Sequence, residues 1–200
     1  TGPRSVAALS WRWPVIAGVL DSLAESYERD AGREDHRAVQ DKEAIFWSAS
    51  TEDRLGAFVD ELQAGGRYTF TLAEAAAGIQ RSESEVRPAA SKLAERSRLA
   101  APQGGFYVIV PLEYRSAGAP PPPWYIDDWM RWAGQPYYVG MLSAAALHGA
   151  GHQPPNVFQI VVPAERPGVK VGRAEIEFIR ADDVGRVDTQ TLRTETGEMR

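Results

Sequence analysis

Two histidines in the second half of the chain have a spacing that could hold a metal ion. His148 and His152 are four residues apart, and on a helix this spacing presents two imidazoles to one zinc ion. However, Gly149 and Gly151 interrupt the helix, no glutamate separates the histidines, and no third ligand follows nearby. The pattern therefore favours a structural pair of histidines over a metal site.

Two groups of carboxylates could also do chemistry. Asp127 and Asp128 are adjacent near the start of a predicted helix, where side chains point in different directions and acidic residues suit the helix dipole. Glu175, Glu177 and Asp182 lie on or beside a predicted strand and could bind a catalytic metal in a nucleic-acid-processing enzyme. A metal-dependent nucleic-acid-processing enzyme, targeted by a winged helix, is therefore one function that the sequence leaves open.

The composition limits the class of function. The chain has 200 residues, no cysteine, a net charge of -5 and a pI near 5.3. Disulfides, thiolate metal sites and a cysteine nucleophile are excluded, and any nucleic-acid binding must come from a local basic face. The early apolar run from Val15 to Leu20 is too short for a membrane span or a secretory signal, so we expect a cytoplasmic protein without membrane contact.

Residues 51–117 have the element order of a winged helix-turn-helix. Thr51 is predicted to cap a first helix, a short β-rich run follows, and Thr71 is predicted to cap a second helix. A third helix ends near Arg96, and two apolar runs joined by the turn at 102–104 form a hairpin. In such a fold the third helix enters the major groove and the hairpin touches the DNA backbone. Use of the same fold for protein contacts alone is the alternative.

Pro88 lies inside the predicted third helix. A proline in a helix removes one backbone hydrogen bond and crowds the preceding turn, so it is tolerated best near the start. We therefore place the N-cap at Ser84 rather than Ser82 and expect a tightened or bent first turn. Basic residues are concentrated between Arg81 and Arg98, although the region 51–111 as a whole is about neutral.

The segments on either side of this region have different roles. Residues 1–50 are predicted to form an accessory amphipathic helix and a polar linker. The run Ala119–Pro123 is predicted to be extended and to mark the seam to a second domain at 118–200. Because the chain opens on Thr1 rather than on methionine, we expect it to be a fragment of a longer protein.

The second domain is predicted to combine helices with a small sheet. The stretch 137–153 is rich in alanine and apolar nearly all round, which predicts a buried helix ended by glycine. Val157–Val162 reads as a central strand and Ala174–Arg180 as a half-exposed one, with a loop between them. The fold class is therefore α+β: an N-terminal winged helix-turn-helix followed by a small mixed α/β domain.

Several segments together resemble the AbiEi-type antitoxins of type IV toxin-antitoxin systems. Their order and spacing are more specific than any single piece, and the resemblance covers about residue 51 to the end. The segments that carry it are 67–76, 105–111, 123–128, 137–149, His152-Gln153 and 157–159. The chain departs from the family at three points. Residues 1–50 do not resemble it, Pro88 lies in the third helix, and the chain ends where similar proteins continue, which implies an incomplete second domain.

The resemblance implies a regulator and antitoxin, without catalysis, cofactor or metal. Its N-terminal winged helix would bind inverted repeats in its own promoter as an autorepressor, and its C-terminal domain would neutralise a nucleotidyltransferase-like toxin encoded nearby, in a phage-resistance system. The DNA contacts carried over are Ser84, Arg87, Ser91 and Lys92, with Arg81 and Arg98 on phosphate. The exposed basic residues expected to touch an acidic partner are Arg166, Lys170, Arg173 and Arg180.

Overall fold

The computed structural model of the chain describes residues 49–149 and 157–200, so the accessory helix predicted within residues 1–50 lies outside the described residues. Ser50–Arg200 form one compact unit of mixed α/β structure. Its elements are, in chain order, α1 (Thr51–Ala64), β1 (Thr69–Thr71), α2 (Leu72–Ile79), α3 (Glu83–Glu95), β2 (Leu99–Gln103), β3 (Phe106–Ile109), α4 (Ile126–Trp132), β4 (Tyr138–Val139), α5 (Met141–Leu147), β5 (Val157–Val162), β6 (Val169–Val171), β7 (Ala174–Arg180), β8 (Leu192–Arg193) and β9 (Glu198–Met199).

The first three helices surround one hydrophobic core. Leu55 and Val59 of α1 and Val86 of α3 are almost fully buried in it. The N-cap of α1 is Ser50, whose hydroxyl accepts the N–H of Asp53 at 3.1 Å. The prediction of Thr51 as cap was therefore wrong by one residue, because serine caps a helix at least as well as threonine.

Helix α2 begins with the cap that the sequence predicts. The Thr71 hydroxyl accepts the N–H of Glu74 at 3.1 Å, and the Glu74 carboxylate accepts the N–H of Thr71 at 2.7 Å. Partial burial alone raises the pKa of Glu74, but hydrogen bonds from Arg67 and Thr71 outweigh it, so this pKa lies below its ordinary value. The helix ends at Gln80, which adopts the left-handed conformation with a φ of 53°.

Strand β3 of the β2–β3 hairpin is covered on both faces. Strand β3 is the centre of a three-stranded antiparallel sheet with the order β1-β3-β2. Tyr107 and Ile109 belong to the core of the three helices, whereas Phe106 and Val108 belong to a second core. A strand buried on both faces joins the two cores into one body.

The second core lies against a four-stranded sheet with the order β4-β5-β7-β6. Strands β5 and β7 are parallel over six register pairs, and the outer two pairings are antiparallel. This confirms β5 as a central strand and β7 as an alternating, half-exposed one. The segment between them was predicted as a loop, but it contains the edge strand β6. The β8–β9 hairpin closes this core with Met199, which is 1% exposed.

The proline run is extended only in part. Pro121 keeps an extended backbone, with φ −57° and ψ 141°, whereas Pro122–Trp124 form a 3₁₀ turn. The prediction of an extended chain through Pro123 was wrong because the fixed φ of proline also suits the first turn of a helix. Just before this run, the carbonyl of Ala117 accepts the N–H of Arg173 at 2.7 Å, where the backbone of the β6–β7 turn passes close by.

Candidate nucleic-acid and partner interfaces

Helix α3 has one buried face and one exposed polar face. Val86, Ala90 and Leu93 face the core, as the sequence predicts. On the other side the structure leaves exposed a set of side chains that are polar or basic. They are Ser84, Arg87, Ser91 and Lys92. The third helix therefore presents four of the six residues predicted to contact DNA on the surface, with Arg81 and Arg98 only partly exposed at either end.

The N-cap of α3 is Ser82, so its predicted placement at Ser84 was wrong. The backbone N–H of Ser82 donates to the Glu85 carboxylate at 3.0 Å, and its hydroxyl donates to the same carboxylate at 2.7 Å. These bonds from Ser82 lower the pKa of Glu85. The helix is continuous from Glu83 to Glu95 with Pro88 in its second turn, because the satisfied start offsets the single backbone bond that proline removes.

Carboxylates of the same unit neutralise several of the basic side chains. Arg81 lies 3.8 Å from the Glu85 carboxylate, and Arg98 forms an ion pair with Asp60. Lys92 lies 3.3 Å from Glu52, which also pairs with Arg96. By contrast, Arg87 makes no ion pair with any carboxylate of residues 49–149 and 157–200. It is therefore the basic residue on this face that is most available to an outside anion.

The basic residues predicted to meet a partner protein have different surroundings. The Arg166 guanidinium donates to Gln103 Oε1 at 2.9 Å and lies 4.7 Å from the ring centroid of Phe178, so it fastens the β6 side of the sheet to the hairpin. Lys170 is exposed on β6, opposite Glu175 on β7. Arg173 is exposed in the turn between these strands, and Arg180 pairs with Asp182 at 2.9 Å.

The paired carboxylates of α4 hold the structure together. Asp127 accepts the Tyr137 hydroxyl at 2.9 Å, and Asp128 accepts the Thr69 hydroxyl at 2.6 Å. Both also pair with Arg131. Burial, reinforced by Asp127, raises the pKa of Tyr137 well above its ordinary value. The two aspartates thus connect α4 to the segment before β4 and to β1.

The carboxylates of the alternative enzyme do not converge. Glu175, Glu177 and Asp182 are all exposed, Glu177 accepts a hydrogen bond from Gln159 at 2.9 Å, and Asp182 pairs with Arg180. Strand β7 is internal to the sheet, between β5 and β6. Within the described ranges, no group of three or more His, Asp or Glu residues is placed to hold a metal ion.

Within the stretch predicted as a buried helix, the described residues 137–149 form a strand and a short, partly exposed helix. Strand β4 comes first, and α5 then places Met141 and Leu142 in solvent, 62% and 67% exposed. Alanine is small and apolar, so an alanine-rich sequence predicts a helix that is buried on every side. In the structure only Ser143 of α5 is fully buried, so the prediction of a buried helix was wrong. His148 is exposed at the helix end, and His152 lies outside the described residues.

Ser143 anchors helix α5 to strand β5. Its hydroxyl accepts the N–H of Gln159 at 2.8 Å and donates to the carbonyl of Val157 at 3.3 Å. Strand β4 pairs with β5 only at Ile160 and Val161. The serine therefore satisfies the edge of β5 that β4 leaves open. An open groove of about 440 Å³ lies beside it, between α5, β4 and the C-terminal hairpin.

The C-terminal part of the chain is similar to a known family. The family model of the AbiEi antitoxin C-terminal domain matches residues 138–200. No curated protein matches the chain. In the part of the chain that the structure describes, no helix has the length and apolar character needed to cross a membrane. The match confirms the predicted resemblance to AbiEi-type antitoxins and covers strand β4 through the end of the chain.

Proposed function

We propose that this chain, whose residues 138–200 form an AbiEi antitoxin C-terminal domain, is a DNA-binding autorepressor and antitoxin of a type IV toxin-antitoxin system. The family match is the observation that carries the proposal. On this proposal residues 51–117 are a winged helix-turn-helix, 118–200 are the antitoxin domain, and the chain is a non-enzymatic regulator in the cytoplasm. Its partners are promoter DNA with inverted repeats and a nucleotidyltransferase-like toxin encoded nearby.

The order of elements supports the assignment of DNA binding to α3. Helices α1 to α3 and the β2–β3 hairpin follow each other as in winged helices, and α3 exposes Arg87 and Lys92. Strand β3 of the hairpin is buried on both faces, so we assign the DNA contacts to α3. Ser84 and Ser91 would contact base edges or phosphates with Arg87 and Lys92, while Arg81 and Arg98 would bind phosphate.

A titration of DNA tests this assignment. The whole chain is titrated against a labelled duplex from the region upstream of its own gene and against a shuffled duplex. Arg87→Ala should weaken binding to the promoter duplex by about 1–3 kcal/mol, since a basic side chain on a base edge or phosphate is removed. Arg115→Ala makes the same change in charge at an exposed position outside α3, and should leave the affinity within twofold. Equal binding by wild type and Arg87→Ala would remove α3 from the proposal.

Basic residues of the second sheet support contact with an acidic partner. Lys170 and Arg173 are exposed, and Arg180 is exposed beside Asp182. The Arg166 guanidinium already donates a hydrogen bond to Gln103. We assign the first contacts with the toxin to Lys170, Arg173 and Arg180, with Arg166 at the edge of that surface. Charges on the rim of an interface chiefly speed association and select the partner.

Calorimetric titration with the purified toxin tests this surface. The double variant Lys170→Glu/Arg173→Glu should bind the toxin at least about tenfold more weakly, because two attractive charges become repulsive. Arg87→Glu/Lys92→Glu places the same charge change on α3 and should leave toxin binding intact. If the double variant binds as wild type does, the toxin contacts another surface.

A further inference from the structure

Glu52, in the first turn of α1, engages two basic residues at the end of α3. One carboxylate oxygen lies 3.3 Å from Lys92 Nζ, and the other contacts the Arg96 guanidinium. The Glu52 side chain is 20% exposed, whereas those of Lys92 and Arg96 are 60% and 66% exposed. The two cations therefore remain accessible from solvent while a single carboxylate compensates their charge.

We propose that Glu52 competes with DNA phosphate for Lys92 and Arg96, and so limits the affinity of α3 for DNA of any sequence. This inference rests on the proposed DNA-binding function. A DNA phosphate that reaches these side chains must displace or share them with a carboxylate that is already in place. With Glu52 present, Arg87 is left as the basic residue on the exposed face of α3 without an ion pair among the described residues.

Packing does not require these ion pairs. Helices α1 and α3 already share one core through Leu55, Val59, Val86, Ala90 and Leu93. Exposed ion pairs contribute little to stability, with a median near zero to about 1 kcal/mol. The same pairs have a large effect on an electrostatic equilibrium, because binding to DNA depends on the number of phosphates that the protein neutralises. Glu52 is thus placed where it changes DNA affinity far more than folding.

Removal of the carboxylate charge should strengthen DNA binding. Fluorescence anisotropy is measured for wild type and Glu52→Gln on the promoter duplex and the shuffled duplex, over a series of salt concentrations. We expect Glu52→Gln to bind both duplexes about three- to tenfold more tightly at low salt, with a salt slope steeper by about one to two. Glu113→Gln is the matched control. Glu113 is exposed after the hairpin, makes no ion pair with a described residue, and should change affinity by less than twofold.

A second variant keeps the test independent of any effect on folding. Arg96→Ala should weaken DNA binding more in the Glu52→Gln protein than in wild type, because only the released guanidinium is free to bind phosphate. If wild type binds DNA and Glu52→Gln shows the same affinity and salt slope, the competition is wrong while the DNA-binding function stands. If no protein in the series binds either duplex, the DNA-binding function is wrong as well.

Discussion

Gln103, at the tip of the β2–β3 hairpin, should fasten the hairpin to the second core. Its Oε1 accepts the indole N–H of Trp129 at 3.1 Å and the Arg166 guanidinium at 2.9 Å. Trp129 is fully buried. Gln103→Ala removes this acceptor, so the Trp129 indole N–H in the second core loses its hydrogen bond to Gln103.

The size of the effect follows from these contacts. A buried donor that loses its acceptor costs about 1–3 kcal/mol, and a partly exposed cationic contact adds at most about 1 kcal/mol. Arg166 stays packed over Phe178, so only its hydrogen bond is lost. We expect Gln103→Ala to lower the free energy of unfolding by about 1–4 kcal/mol, which corresponds to a fall in Tm of roughly 2–16 °C for a unit of this size.

Urea unfolding followed by tryptophan fluorescence measures this change. The midpoint should fall with an unchanged slope, since the surface exposed on unfolding stays the same. Gln103→Glu keeps an acceptor oxygen for both donors and should remain within about 0.5 kcal/mol of wild type. The reasoning is refuted if Gln103→Ala unfolds at the wild-type midpoint, or if Gln103→Glu loses as much stability as Gln103→Ala.

Three further changes test other parts of the structure. Gly172 has a φ of +58°, and an added Cβ would lie 2.3 Å from the Ala117 carbonyl oxygen. Gly172→Ala should therefore lower the free energy of unfolding by more than about 3 kcal/mol, measured by thermal unfolding. Gly104→Ala is the control and should be neutral, because a Cβ at this position has no atom within 4 Å. Ser143→Ala should cost about 1–3 kcal/mol and speed hydrogen exchange at the Gln159 amide; unchanged exchange would argue against the edge role. The pKa of Glu74 is lowered on folding, so its contribution to stability is complete above the ordinary glutamate pKa and is lost as pH falls through the folded value. The urea midpoint should therefore fall less steeply between pH 7 and 3 for Glu74→Gln than for wild type. Parallel curves of midpoint against pH for the two proteins would contradict this.

The elements of residues 51–110 could be predicted because their signals are local. The Thr71–Glu74 cap and the apolar stripe of α3 lie within a few residues of the structure that they specify. The start of α3 was misplaced because Pro88 was given more weight than the Ser82–Glu85 pair, which is itself a capping pattern. The continuous apolar run of β3 indicates burial on both faces, so this feature also had a signal in the sequence.

Features of the second half depend on contacts that no local pattern contains. Strands β4, β6, β8 and β9 have two or three residues each, and they exist because a neighbouring strand pairs with them. The exposure of Met141 and Leu142 depends on which side of α5 meets β5, and Ser143 decides this through two hydrogen bonds to the strand. The ion pairs of Glu52 with α3 also depend on how the helices pack.

Growth rescue tests the antitoxin function most directly. The proposed toxin, a nucleotidyltransferase-like protein that we expect to be encoded beside this gene, is induced in cells with and without co-expression of the chain from a promoter that the chain does not regulate. We predict that growth stops without the chain and is restored with it, and that Arg87→Ala restores growth equally well because DNA binding is not needed for neutralisation. Growth arrest that persists despite stable, folded chain in the cells would contradict the antitoxin function.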